Sequence, residues 1–373
     1  MYLKIGVIQY MENEELKNSK IDEYEEMEEN PKKSKKLLLL LFLMIATAVI
    51  LGSSTFAWFT ANKTVAVNDI TVNVAAQNGI QISVDGTNWK SIVQTADLLG
   101  AKTTYANAVN QVPSGSESLA PVSTVGNTDT NGYLEMFLGD VISQTATASP
   151  NYGQYILTAT RDTEVDGNRG SFIAFDLFFK VDGTTPIWIT ANSGVTTPDT
   201  THMGIKNATR MAFVIEGNTA AGSALNTIQG LNGGTSAPVY IWEPNYDVHS
   251  ASGVSNALDT YGITTAQTGG SLLPYSGVKA DIADTDDVSL AVPSSTTHAT
   301  KYGSFFDAVT PDYTTVEGFT EAIDGWTFNP GITKVRVYMW VEGQDVDCEN
   351  TASGGNVTYK LQITSEDPDA VTP

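Results

Sequence analysis

The chain contains a single cysteine, Cys348, among 373 residues. One cysteine excludes an intrachain disulfide, so a fold of this size is held by its core, by a metal ion or by association with other chains. Histidine is nearly as scarce, with His202, His249 and His298 the only three. None of them stands in a His-Glu-x-x-His or His-x-x-x-His arrangement, so a catalytic zinc site is not expected.

Positive charge is also scarce. Lys and Arg number 20 against 42 Asp and Glu, which gives a net charge of −22. The chain has no basic stripe, and a surface this acidic repels nucleic acid and anionic lipid, so nucleic-acid binding is excluded. A Gly-x-Ser-x-Gly nucleophile motif is missing and Cys348 has no histidine near it in the sequence. We therefore expect no enzyme activity and no cofactor other than a structural Ca²⁺ ion.

The most informative stretch is residues 32–59. Four lysines, at positions 32, 33, 35 and 36, precede an apolar run at residues 37–51, and small residues follow at 52–55. A basic segment, an apolar helix and small residues in this order are typical of a secretory signal. Thr55 and Ala57 occupy the −3 and −1 positions of a predicted cleavage site, so the exported chain begins at Trp58.

An uncleaved membrane anchor is the alternative. Residues 37–59 contain no charged side chain and are long enough to span a bilayer. The apolar run itself is closer to signal length, so we favour cleavage, and membrane contact is expected only if the signal is retained. Residues 1–31 are acidic and predict no fold; they are either a long cytoplasmic extension or the result of a wrong start codon, with Met11 and Met27 as rival starts.

The segment around the cleavage site resembles a known family. Thr55, Ala57 and Phe59 fit the Thr-x-Ala-x-Phe context in which a SipW-type signal peptidase cuts proteins of the TasA/camelysin group, and a strand pattern begins shortly afterwards at Val65. Members of that group are secreted bacterial matrix-fibre subunits or surface proteins. The resemblance implies export by a bacterium, processing by that peptidase and a location in the extracellular matrix or on the cell surface.

The remainder, residues 58–373, predicts an all-β domain. Apolar residues alternate over residues 65–76 and again over 79–86, where Asp85-Gly86 ends the second run, so an opening hairpin is expected. Residues 171–181 carry aromatics on both faces, which is typical of a strand covered on both sides. Residues 334–342 and 356–364 alternate in the same way and predict a closing hairpin.

No long amphipathic helix pattern occurs. We expect a jelly-roll-type β-sandwich preceded by the signal helix and decorated by long insertions at residues 91–131 and 244–303. The second insertion is too long to be structureless in a compact domain, so short strands are expected inside it.

Two loops carry candidate metal ligands. Asp345, Asp347, Glu349 and Asn350 place several oxygen atoms on one loop, as a Ca²⁺ site requires, although a solvated acidic loop is the favoured alternative. Glu243, Asp247 and His249 follow a predicted strand and suggest a transition-metal site, for which a structural turn is the favoured alternative.

The segment that begins at Trp58, the first residue after the predicted cleavage site, indicates the function. The proposed assembly residues are apolar, strand-forming and free of charge: Trp58, Phe59, Val65, Val67, Ile70, Val72 and Val74. Such a tail can complete the sheet of a neighbouring copy, and a head-to-tail contact of this kind propagates a fibre. The alternatives are that the strand folds into its own domain, and that the protein is a monomeric carbohydrate- or ligand-binding module that uses the two insertions.

Overall fold

The structure of the protein is a computed structural model. It describes residues 65–74, 80–112, 118–166, 171–198, 200, 203–259, 272–273, 275–289, 295–348 and 356–365. All of these belong to the second of two compact units, Thr55–Pro373.

The described chain is built mainly of short strands. In chain order they are β1 (Val65–Val74), β2 (Gln81–Ser83), β3 (Ile92–Gln94), β4 (Ser118–Leu119), β5 (Val122–Ser123), β6 (Met136–Ser143), β7 (Tyr155–Asp162), β8 (Ile173–Val181), β9 (Thr185–Ile189), β10 (Gly194–Thr196), β11 (Thr209–Thr219), β12 (Val239–Pro244), β13 (Tyr275–Val278), β14 (Phe306–Val309), β15 (Tyr313–Thr315), β16 (Ile323–Phe328), β17 (Gly331–Val341) and β18 (Asn356–Thr364). Four short α-helices interrupt them: α1 (Thr95–Gly100), α2 (Leu225–Gln229), α3 (Ala251–Asp259) and α4 (Ser295–Lys301). The predicted all-β class is confirmed.

Two large sheets form the body of the domain. The first has seven strands in the order β16-β9-β18-β1-β3, with β10 added to β18 and β4 added to β1. The second has six strands in the order β15-β12-β11-β17-β8-β2. Buried side chains of both sheets belong to one apolar cluster, for example Ile187 and Leu361 from the first sheet and Leu177, Phe213 and Val337 from the second. The two sheets therefore enclose a common core.

The outer face of the six-stranded sheet is covered as well. A three-stranded sheet (β5-β6-β7) and a two-stranded sheet (β13-β14) contribute Met136 and Tyr275 to a second apolar cluster with Phe172, Val214 and Trp340. This third layer explains why every residue of β17 and all but one of β8 are buried. The prediction that residues 171–181 are covered on both faces is confirmed.

Both predicted hairpins are wrong. β1 pairs with β18, β3 and β4, whereas β2 pairs with β8 in the other sheet. Likewise β17 pairs with β11 and β8, and β18 lies in the first sheet. The chain changes sheets at both places, and periodicity along one strand holds no information about that partner choice.

The second predicted insertion, residues 244–303, contains helix as well as strand. α3 and α4 lie in it, together with β13. The first insertion, residues 91–131, contains α1, which β3 precedes and β4 and β5 follow.

Candidate functional site

The predicted assembly strand occupies an interior position of the seven-stranded sheet. Val65, Val67, Ile70, Val72 and Val74 all fall in β1. β1 runs parallel to β18 from Ala66↔Asn356 to Val74↔Ile363, with one irregularity between Val67 and Asp69. On its other side it pairs antiparallel with β3 and β4.

The register places β1 above the main core. Ile70, Val72 and Val74 are the backbone partners of Tyr359, Leu361 and Ile363, which are all buried. The flanking strands contribute Val93 and Leu119, which belong to the same core cluster. Without β1, β18 and β3 would be separated by the width of one strand, and the core beneath them would be open.

The predicted processing site at Ala57 and Trp58, and Phe59 after it, lie outside the described residues. Among the described residues, no helix combines the length and the apolar character that crossing a bilayer requires.

The acidic loop after β17 is buried instead of solvated where it is described. Asp345 is 4% exposed and Asp347 is fully buried. Asp345 Oδ2 accepts a hydrogen bond from Arg210 Nη2 at 2.6 Å. Glu349 and Asn350 lie outside the described residues, so the proposed Ca²⁺ ligand set stays a prediction.

Arg210 is the centre of a buried charge cluster, the Arg210 cluster, formed with Glu243, Asp345 and Tyr275. Its Nη2 lies 3.0 Å from Glu243 Oε1 as well as 2.6 Å from Asp345 Oδ2, and its Cζ lies 5.4 Å from the centre of the Tyr275 ring. Burial raises the pKa of Glu243 although Arg210 attracts its charge. The cluster therefore holds two carboxylates and one guanidinium group in a fully buried site.

The loop that contains His249 contacts the acidic loop through Asp347. His249 Nδ1 lies 2.8 Å from Asp347 Oδ2, and the Ser250 N–H donates to Asp347 Oδ1 at 2.8 Å. Asp247 is engaged elsewhere, where its Oδ1 accepts from the Glu317 N–H at 2.6 Å. The structure thus unites His249 of one predicted loop with Asp347 of the other. In the described part of the chain, no three side chains of the His, Cys, Asp or Glu types converge as metal ligands.

A second buried charge cluster, the Arg336 cluster, lies on β8 and β17. Arg336 Nη1 donates to Asp176 Oδ1 at 2.9 Å, and Lys334 Nζ lies 3.3 Å from Asp176 Oδ2. Arg336 also donates to the Val109 carbonyl at 2.8 Å and to the Tyr338 hydroxyl at 3.0 Å. Burial opposes ionisation of Asp176, but Lys334 and Arg336 outweigh it and lower the pKa of that carboxyl.

Two further glutamates are buried where hydrogen bonds and nearby cations do not offset the cost of burying a charged carboxylate. Burial raises the pKa of Glu216 to about 7, although its carboxylate accepts from the Gly233 N–H at 2.8 Å. Burial likewise raises the pKa of Glu342 to about 7, against hydrogen bonds from Ser123, Trp340 and Gln344. Both groups titrate near neutral pH for this reason.

An open cavity of about 310 Å³ lies beside the first insertion. Its polar lining residues include Asp85, Asn88, Lys90, Asp97 and Thr104. Burial disfavours the charged form of Asp85, but N–H groups of Asn88 and Thr87 and the Thr104 hydroxyl outweigh it and lower its pKa to about 2. Because these donors already occupy the carboxylate, Asp85 is better suited to holding the loop than to binding a ligand.

Both charge clusters could have been predicted from charged residues that interrupt apolar strand patterns. Arg210, Asp176 and Arg336 each stand inside an otherwise apolar strand pattern. Charges of opposite sign in two such strands predict a buried ion pair, because an unpaired charge there is too costly.

Comparisons of this chain with protein-family models, with curated proteins and with solved structures found no match.

Proposed function

We propose that this protein is an exported structural subunit that forms a filament at a bacterial cell surface or in a biofilm matrix. In the proposed contact, residues 58–74 of one copy enter the seven-stranded sheet of the next, at the position of β1. We retain the jelly-roll-type β-sandwich as the proposed fold type, and TasA-like proteins as the group it resembles. Processing by a SipW-type peptidase after Ala57 would release the tail, and the filament would be a head-to-tail homopolymer.

The observation that supports this proposal most is the interior position of β1. Within residues 65–365, the only covalent connection of β1 is at its C-terminal end. It nevertheless pairs with β18 on one side and with β3 and β4 on the other. Removing it would expose a groove lined by backbone groups of β18 and by the core residues Tyr359, Leu361 and Ile363. A strand of the same sequence from another copy would make the same backbone pairing with β18, β3 and β4.

The short connection after β1 limits the geometry of exchange. Five residues, 75–79, separate Val74 from Ile80. Six peptide units span at most about 20 Å. Copies that exchange β1 must therefore be in direct contact, so a tight filament is expected and a loose chain of beads is not.

Charge sets the conditions under which assembly is expected. Residues 1–57 contain 7 Lys and 9 acidic residues, so the chain from Trp58 has 20 − 7 = 13 basic and 42 − 9 = 33 acidic groups and a net charge of −20. Copies with this charge repel one another at low ionic strength. We expect filament yield to rise with salt.

Electron microscopy of two purified proteins tests the proposal. One begins at Trp58 and the other at Ala75, and a synthetic peptide of residues 58–74 is added to the second. Filaments from the longer protein alone are expected, and the peptide should convert the shorter protein into folded, capped monomers. Dispersed monomers from the longer protein at high salt would refute the proposal.

A monomeric binding module is the second candidate. The cavity of about 310 Å³ supports it, because Asp97 and Thr104 of the first insertion line its wall together with Lys90, which directly precedes that insertion. Carbohydrates are the ligand class that carboxylate, amide and hydroxyl groups in an open cleft would take. A glycan array probed with the protein from Trp58 tests this, with loss of any signal in Asp97→Ala as the confirming result.

A further inference from the structure

Residues 229–234, which lead from the end of α2 towards β12, lie over buried charged groups of the six-stranded sheet, and we name them the 229–234 lid. Lys334 Nζ on β17 contacts two carbonyl oxygens of this lid, at 3.2 and 3.5 Å. The Gly233 N–H donates to Glu216 Oε2 on β11 at 2.8 Å. The backbone of the lid therefore binds a cation and an acid at the same time.

The carboxyl group of Glu216 is enclosed. Glu216 lies in a bulge of β11, between Ile215 and Gly217, and is 2% exposed. Its second oxygen, Oε1, is buried and has no hydrogen-bond partner among the described residues. A Cβ atom at Gly132 would overlap both carboxyl oxygens, so the chain at that glycine fits directly against them. An ionised oxygen that neither a donor nor water reaches is costly, so the closed lid favours a protonated Glu216.

The charged groups that face Glu216 from other elements do not remove this cost. Lys334 and Arg336 of β17 favour the ionised form, but Asp176 of β8 opposes it and already shares both cations, at 3.3 and 2.9 Å. Tyr133 faces the same carboxyl group, and Glu216 contributes to the raised pKa of its hydroxyl. Burial outweighs the two cations and raises the pKa of Glu216 to about 7.

The lid also supports the wall of the open cavity. Gln229 Nε2, at the start of the lid, donates to the carbonyl oxygens of Asp85 at 2.8 Å and Thr104 at 3.1 Å. The Tyr105 hydroxyl donates to the Gln229 carbonyl at 3.0 Å. Asp85 and Thr104 both line the cavity of about 310 Å³. Movement of the lid would therefore loosen two segments of the cavity wall.

Opening of the lid exposes little apolar surface. None of its six residues is buried, and half of them are glycines: Gly230, Gly233 and Gly234. Gly234 has φ 56°, a conformation that glycine adopts without strain. Segments with few buried apolar contacts open locally at a small free-energy cost. The state of Glu216 is therefore large enough an effect to decide between a closed and an open lid.

We propose that the 229–234 lid is a proton-dependent switch, closed over Glu216 while that carboxyl group is protonated and open, with the cavity wall loosened, once it is ionised. In the open form Glu216 reaches water and ionises at its ordinary pKa of 4.5. The closed form holds the proton more tightly, so closure is favoured most below pH 4.5 and this preference is lost as the pH rises through 7. The switch concerns the cavity and does not depend on filament formation.

Hydrogen–deuterium exchange of the full chain, measured by mass spectrometry at pH 5 and pH 7.5, tests the inference after correction for intrinsic exchange rates. Opening of peptides that cover residues 229–234 and 85–105 should increase at least about 10-fold at the higher pH, because each unit of a pKa difference corresponds to a tenfold change. Peptides from β8 and β17, in the centre of the sheet, should stay protected at both pH values and serve as the internal reference.

Two variants separate Glu216 from other buried acids. Glu216→Gln retains an oxygen for the Gly233 N–H and does not ionise, so its lid should be equally protected at both pH values. Glu342→Gln is the matched control, because it also removes a buried glutamate whose pKa is raised to about 7, but one that Ser123 and Trp340 hold. Its lid should respond to pH as that of the unchanged chain does.

Equal protection of the lid in the unchanged chain at pH 5 and pH 7.5 would overturn the inference, as would a pH response that persists in Glu216→Gln. A loss of protection at pH 7.5 that includes β8 and β17 would show unfolding of the whole domain in place of a local opening, and would overturn it as well.

Discussion

Asp176 and Arg336 are direct cross-strand partners on β8 and β17, and their side chains form a hydrogen-bonded ion pair at 2.9 Å in full burial. Each lies in the middle of a long strand whose other residues are mostly apolar. A register slip of one residue between these strands would leave both charges buried without a partner. The pair therefore fixes the alignment of the two central strands.

Removing the carboxylate of this pair should be severe. Asp176→Asn leaves Arg336 and Lys334 buried beside a neutral amide, and breaking a buried pair in this way costs about 3–5 kcal/mol. The matched control is Asp307→Asn, because Asp307 forms an exposed ion pair with Lys279 at 2.8 Å. Exposed pairs contribute about 0–1 kcal/mol. Urea unfolding of both variants measures the difference, and equal losses would contradict the assigned role of Asp176.

Stability should fall as the pH rises towards neutrality. The pKa of Glu216 is raised to about 7 by burial, so the folded protein holds a proton that the unfolded chain releases near 4.5. The folded state then binds more protons in this window, so the contribution of Glu216 to stability is fully present below pH 4.5 and is lost as the pH rises through 7. A shift of this size corresponds to roughly 3 kcal/mol.

Glu216→Gln isolates that contribution. The variant should lose part of the decrease in Tm between pH 4.5 and 7.5, because a neutral amide does not titrate. Glu321→Gln, at an exposed position, serves as the control and should keep the full decrease. A profile for Glu216→Gln that matches the unchanged protein would show that Glu216 ionises normally.

Acid should destabilise the protein only at low pH. The pKa of Asp85 is lowered to about 2 because hydrogen bonds from Thr87, Asn88 and Thr104 outweigh its burial. Its contribution is present above the ordinary value of 3.8 and is lost as the pH falls towards 2. Asp85→Asn should remove this loss. Circular dichroism during an acid titration measures it, and a midpoint unchanged by Asp85→Asn would contradict the assignment.

The turn into β17 should tolerate no side chain. Gly331 has φ 117°, and a Cβ atom there would lie 2.2 Å from the backbone oxygen of Thr219. Gly331→Ala is expected to cost at least about 1–3 kcal/mol, because both the backbone conformation and the contact are unfavourable. Gly183→Ala is the matched control, with no atom within 4 Å of the added carbon. Similar Tm values for the two variants would contradict this expectation.

Local pattern predicted the strands and not their partners. Residues 171–181, 334–342 and 356–364 were expected as strands and correspond to β8, β17 and β18, because alternation and β-branched or aromatic content are properties of the segment itself. The two hairpins were wrong because β1 and β18, at opposite ends of the domain, pair with each other. That choice depends on the shape of the whole core, which no single segment encodes.

The candidate sites show the same limit. His249 and Asp347 were each noted on separate loops, but they are 98 positions apart and their contact follows from the folding of three strands. The strand over residues 65–74 was predicted correctly because its apolar alternation is a local feature.

Cysteine cross-linking between β1 and β18 tests the central claim most directly. Thr71 and Lys360 are backbone partners in the parallel ladder, and neighbouring strands are about 4.8 Å apart, within disulfide range. The only native cysteine, Cys348, is buried. A protein beginning at Trp58 that carries Thr71→Cys and Lys360→Cys is assembled at high salt, oxidised and run on a denaturing gel without reductant. Asp140→Cys with Thr158→Cys, partners on β6 and β7, is the control and should close only within one chain.

Exchange of β1 between copies predicts a ladder of covalent multimers from the first pair, none from the control pair, and collapse of the ladder to monomer on reduction. Oxidised monomers from both pairs at every protein concentration would show that β1 stays in its own sheet, and would contradict assembly through this strand.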